Sequence, residues 1–177
     1  MDIKIPFYNL INMLLLGMVF IIAVLFLQPN NASRLFAYIC YYKIGETLVL
    51  TAFIAVSYQI GFLISRLGSL TEILLKNEKK WEDRNIVSKI FQISWRKYSL
   101  YQKTEKLDPF VKVLSREYAL ARNSMALCVL LAIIAAFGEK YMYFGMLLGL
   151  TFLSYFATRK HARKIVDRID ENTASKG

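Results

Sequence analysis

Between Tyr8 and Leu27 the chain carries no charged side chain, and most of that run is Leu, Ile, Val, Phe, Met or Ala. Twenty such residues match the length a helix needs to cross the hydrocarbon core of a bilayer. Gln28-Pro29-Asn30-Asn31 stops the run, since proline interrupts a helix and asparagine favours turns. A cleaved signal peptide fits less well. Lys4 is the only basic side chain ahead of the run, the run exceeds the usual apolar length, and no small-x-small site follows it.

Three further apolar stretches follow. The second span is expected over Thr47–Ile64, with Gln59 as its one strongly polar interior group. The third is expected over Ala119–Phe137, with Arg122 reaching back to the interface, and the fourth over Tyr141–Thr158. Gly138-Glu139-Lys140 is all that separates the last two, so they form an antiparallel hairpin. Hydrophobic residues make up 56% of the chain. Its charges, 23 Lys and Arg against 13 Asp and Glu, are segregated from the apolar runs. A membrane protein is built that way and an ordinary soluble domain is not.

Lys and Arg placement sets orientation. The segment Ser65–Asn123 holds thirteen, whereas Gln28–Glu46 holds only Arg34 and Lys43, and the turn after span three only Lys140. The tail adds Arg159, Lys160, Arg163, Lys164, Arg168 and Lys176. The long loop and both termini are therefore expected in the cytoplasm, with the chain in an inner membrane. Tyr38, Tyr41, Tyr42, Tyr141 and Tyr143 would form an aromatic belt at the outer face.

The expected fold is all-α: a four-helix membrane bundle whose helices extend into a cytoplasmic helical region. Its parts are an N-terminal transmembrane hairpin (1–66), a basic cytoplasmic region (67–118), a C-terminal hairpin (119–158) and a basic helix with a disordered tail (159–177). Leu70–Glu82 should extend span two. Asp83 or Asn85 should cap a helix over Ile86–Lys103, with Val87, Ile90, Phe91, Ser94, Tyr98 and Tyr101 on one stripe. Lys89, Trp95, Arg96, Lys97, Tyr98 and Lys103 make this helix a candidate surface for anionic lipid or a cytoplasmic protein partner. The alternative is that its stripe packs on the protein's own helices. Nucleic-acid binding is not expected, because proximity to anionic headgroups accounts for a basic loop more simply. Asp108-Pro109 predicts a helix start, and one helix should run from Pro109 to Phe137, about 40 Å in length. Span four should continue to Ile169, and Asn172–Gly177 should be disordered.

In lipid, helices associate through small residues. Ser57, Gly61, Ser65 and Ser69 recur every fourth residue, with Gly68 beside them, and Gly145 and Gly149 form a GxxxG. Both serve either as intramolecular contacts or as seams between copies in a homo-oligomer. Asn9, Asn12, Glu46, Gln59, Arg122 and Asn123 are the polar groups at or near membrane depth. Only Gln59 lies deep, so interhelical hydrogen bonds and interfacial anchoring explain them better than an ion path. There is no inverted repeat of the transporter kind.

No enzyme chemistry is expected. His161, the single histidine, sits in a basic segment, and no nucleophile elbow, P-loop, HExxH or dinucleotide turn is present. Cys40 and Cys128 are too few and too far apart for a zinc site or disulfide framework. No cofactor or metal is implied.

Two stretches, Gly61-Phe-Leu-Ile-Ser-Arg-Leu-Gly-Ser69 and Arg116-Glu-Tyr-Ala-Leu-Ala-Arg-Asn123, together with the four-span layout, resemble small prokaryotic four-helix membrane proteins of anti-phage systems, the membrane component of the Kiwa system among them. The resemblance implies a homo-oligomeric, non-enzymatic sensor or scaffold that responds to phage-induced membrane events and signals to a cytoplasmic partner. It carries over no individual residue. A pore-forming effector or small channel, and an immunity-type membrane protein that binds a toxin, are the competing expectations.

Overall fold

The structure, a computed structural model, describes residues 7–77, 93–94 and 109–174. Five helices occupy nearly all of them. They are α1 (Phe7–Leu27), α2 (Pro29–Tyr41), α3 (Glu46–Leu75), α4 (Pro109–Phe137) and α5 (Tyr141–Ala174). Four of the five, all but α2, are long and apolar enough to cross a membrane. Helix α1 has 21 residues. A helix of that size is about 30 Å long, which equals the thickness of a hydrocarbon core. The other three are longer, and their extra turns carry the charge.

The expected starts of α4 and α5 and the end of α4 match the observed ones. Helix α3 begins at Glu46, one residue earlier than expected, with the Glu46 carboxylate in its first turn, where the helix dipole favours negative charge. It continues past the apolar stretch to Leu75.

The all-helical architecture is as expected, and α1 ends at Leu27 as expected, but one helix is unanticipated and two local expectations need correction. Pro29 opens α2, a helix outside the four expected spans. Proline suits a first-turn position, where its missing N–H has no intrahelical partner to lose. The Gln28 carbonyl accepts from Asn31 N and Ala32 N, both at 3.1 Å, so the new helix starts one residue after the old one ends. Secondly, the expected extension of span two ends at Leu75, and its part beyond Asn77 lies outside the described residues. Beyond Leu75 the chain forms a two-residue parallel pair, β1 (Lys76–Asn77) with β2 (Ile93–Ser94), in register Lys76 to Ile93 and Asn77 to Ser94. Ile93 and Ser94 are therefore not helical, and the remainder of the expected helix over Ile86–Lys103 lies outside the described residues. Finally, α5 extends to Ala174, so Asn172–Ala174 are helical rather than disordered.

The turns after α2 and α4 share one device. Lys43 (φ 49°) and Glu139 (φ 56°) adopt the left-handed conformation. Ile44 N donates to Ile39 O at 3.2 Å and Lys43 N to Cys40 O at 3.2 Å. Lys140 N donates to Ala135 O at 2.9 Å and Glu139 N to Ala136 O at 3.1 Å. Each is a Schellman cap, which satisfies the last carbonyls of a helix. Gly138 and Gly45 sit near these positions, yet neither takes a positive φ.

The chain forms two compact units, and their boundary falls within α3, α4 and α5. One comprises 1–67 and 126–151, the other 68–125 and 152–177. The first is built on Leu16, Leu27, Ile64, Ala126, Leu127, Leu131 and Ala135, with Phe20, Ile60, Tyr143 and Leu147 packed against them. The second is built on Val111, Leu114, Tyr118, Ala162, Ile165 and Val166, with Tyr155 at its edge.

Candidate functional site: helix crossings, buried polar groups and an open glycine face

In the first unit the closest approach lies between α1 and α3. A Cβ placed on Gly17 would overlap the Ser57 carbonyl oxygen, and one on Gly61 would overlap the Met13 carbonyl oxygen. Residue 13 meets 61 and residue 17 meets 57, so the two helices cross antiparallel, backbone to backbone. Each carbonyl fills the space a side chain would need, the arrangement in which Cα–H···O contacts form. Ser57 is fully buried, and its hydroxyl has no hydrogen-bond partner among the described residues. Its contribution to the crossing is small size and a main-chain oxygen.

Ser57 and Gly61, expected from their spacing to form a packing face, pack within the chain. Gly17, which completes the crossing, has no role in the sequence-based expectation. The available signal is a lone glycine in an otherwise unbroken apolar helix, because glycine there gains nothing from helix propensity. Ser65, one turn further along the stripe, is only half-buried.

In the second unit α3 meets α4 at Gly68 and Asn123. A Cβ on Gly68 would stand 2.6 Å from Asn123 Oδ1 and 3.4 Å from Asn123 Cα. Asn123 is 2% exposed. One turn earlier on α4, the Tyr118 ring receives the Arg122 guanidinium at 5.8 Å from its centroid. That gives the half-buried cation an aromatic face. Arg122 and Asn123 thus mark a packed polar spot rather than loose anchors. Further along, His161 Nδ1 of α5 lies 3.2 Å from Glu117 Oε2 of α4. No hydrogen bond to Nδ1 accompanies that distance.

The remaining polar candidates are not drawn together. Gln59 and Glu46 are exposed on α3, and Asn12 is half-buried on α1. No group of three metal-ligating side chains forms among the described residues. Lys89, Trp95, Arg96, Lys97, Tyr98 and Lys103 lie outside the described residues.

Gly145 and Gly149 stand in contrast to Gly17 and Gly61. Nothing lies within 4 Å of a Cβ built on either. Their helix is the least covered of the four apolar ones, with 6% of its most apolar stretch buried against 39% for α4. Of the two uses open to a GxxxG, the intramolecular one is not made among the described residues.

A small polar cleft of about 340 Å³ in the first unit is lined by Gln28, Pro29, Asn30 and Asn31 from the α1–α2 corner and by Gly138 and Lys140 from the α4–α5 turn. The end of α1 and the end of α4 therefore lie side by side, as they must if α1 and α4 run the same way.

Together these features define a helical chain with four helices long and apolar enough to cross a membrane, fastened by glycine crossings and, among the described residues, carrying little convergent polar chemistry. No protein-family model, curated protein or solved structure matches the chain.

Proposed function

We propose that this chain is a polytopic inner-membrane protein, with both termini cytoplasmic, that acts as a non-enzymatic sensor or scaffold. It self-associates and regulates or recruits a cytoplasmic protein. The open Gly145/Gly149 face carries this reading. Two glycines one turn apart on an apolar helix let a second backbone approach closely, and in lipid that approach is what drives association. The crossings at Gly17 and Gly61 illustrate how this chain uses glycine when a partner is present. Thirteen basic residues in Ser65–Asn123 give the cytoplasmic side an affinity for anionic headgroups and acidic partner surfaces. The resemblance to anti-phage membrane components suggests phage defence as the setting.

The test is assembly size. Full-length protein reconstituted in lipid vesicles at falling protein-to-lipid ratio is counted by single-molecule photobleaching. Wild type should be multimeric, and Gly149→Ile should be monomeric with unchanged helicity. A wild-type chain that is monomeric at every ratio would refute the reading.

One observation favours a second reading. Gln59 is exposed on an apolar stretch of α3, where lipid is a poor host for an amide. A pore-forming assembly would place Gln59 on a water-filled conduit. Ion flux through vesicles holding the protein alone separates the two, since a scaffold conducts nothing without its partner.

A further inference from the structure

Helix α2 stands outside the four-span expectation, and its composition is unlike that of its neighbours. It has 13 residues. A helix of that size is about 20 Å long, too short for a hydrocarbon core of about 30 Å. One residue, Gln28, joins it to the end of α1, and four, Tyr42–Gly45, join it to the start of α3. If α1 and α3 cross a bilayer, both of those ends lie at one membrane face, and α2 is confined there.

On a helical projection, Ala32, Leu35, Phe36, Ile39 and Cys40 fall on one arc of α2, and Asn30, Asn31 and Arg34 on the opposite one. None of its residues is buried. Ala32 and Ile39, at the centre of the apolar arc, are half-buried, while Leu35 and Phe36 on its flanks are 49% and 59% exposed. The chain therefore covers the middle of this face and leaves its two large flanking side chains bare. At the C-terminal end the Tyr38 and Tyr42 rings meet at 4.5 Å with a 47° tilt and Tyr41 meets Tyr42 edge-on at 5.0 Å, all three largely exposed. Arg34 and Lys43 are the only charges between Gln28 and Gly45. An amphipathic arc, a tyrosine cluster and cationic but no acidic groups are the combination that settles at a headgroup boundary.

We infer that α2 lies in the bilayer surface as an interfacial helix, with Leu35 and Phe36 among the upper acyl chains, and Asn30, Arg34 and Tyr41 toward water. Its partner is the lipid surface itself. The inference rests on the membrane reading of α1 and α3 but not on self-association, on a partner protein or on any signalling role.

Depth-dependent fluorescence quenching tests it. The full chain, with Cys40→Ser and Cys128→Ala, takes a single environment-sensitive label at Leu35→Cys, Phe36→Cys, Asn30→Cys or Ile22→Cys, the last being a 60% exposed position within α1. It is reconstituted in phosphatidylethanolamine and phosphatidylglycerol vesicles containing lipids brominated at shallow or deep acyl carbons. Labels at 35 and 36 should lose most of their emission to shallow bromine and little to aqueous iodide, and the label at 30 the reverse. The label at 22 should respond to deep bromine. Equal iodide quenching at 30, 35 and 36 with normal deep quenching at 22 overturns the interfacial helix alone. Protection of 35 and 36 from both quenchers overturns it as well, since a protein surface then covers them. Loss of lipid quenching at 22 as well removes the membrane reading and this inference with it.

Discussion

Gly17 and Ser57 touch through their main chains, with the serine carbonyl where a glycine side chain would begin. The same relation holds between Gly61 and Met13. Gly17→Ala and Gly61→Ala should each destabilise the fold by about 1–3 kcal/mol, because an added methyl meets unyielding backbone. Gly145→Ala and Gly149→Ala, whose new methyls meet open space, should leave the monomer's stability unchanged or raised. Unfolding by denaturing detergent, followed by circular dichroism, ranks the four; a Gly61→Ala chain as stable as Gly145→Ala contradicts the crossing.

Ser57→Ala tests which part of the serine matters. Its buried hydroxyl has no hydrogen-bond partner among the described residues. Desolvating an unpaired hydroxyl costs about 1–3 kcal/mol. Removing it should therefore be neutral or stabilising, whereas Ser57→Leu should be strongly disruptive. A large loss in Ser57→Ala would mean that the hydroxyl is bonded in the folded protein.

Gly68 faces a side chain rather than a backbone. Gly68→Ala should be tolerated poorly beside Asn123 and better beside Asn123→Ala. A double-mutant cycle on the same unfolding assay should give a favourable coupling of about 0.5–3 kcal/mol. Additive losses would show that the two positions do not share space.

Glu139→Gly should stabilise the chain by about 1 kcal/mol, since glycine adopts the left-handed conformation without the cost a Cβ imposes. Lys43→Gly should do the same after α2. Thermal unfolding of each variant checks the sign, and a fall in midpoint for both would contradict the two caps.

Much of this architecture is legible in the residues alone. Apolar length and charge segregation report directly on helices that tolerate lipid, so α1, α4 and the start of α5 match their expected bounds closely. Asp108-Pro109 places a helix start to the residue because proline's chemistry there is local. What stays hidden depends on distant partners. Pro29 reads equally as the end of one helix or the first turn of the next. The glycine at 138 reads as the turn residue, yet the left-handed position falls to Glu139, one residue on. Gly17 gives no hint of its role because a close crossing belongs to two helices, and only Ser57 on the second makes it necessary. The parallel pairing of Lys76–Asn77 with Ile93–Ser94 has no alternating apolar pattern behind it, so nothing local announces it.

The crossing of α1 and α3 also restricts how these two helices can move. Sliding α1 along its axis would bring the side chain of Met13 or Ile21 toward the Ser57 carbonyl in place of Gly17. A full turn would replace a glycine contact by one with Met13 or Ser57 itself. Piston-like sliding is thus closed to this pair, and packed cores switch between discrete arrangements rather than deform smoothly. Any displacement passed along α1 and α3 is a tilt or rotation of both together.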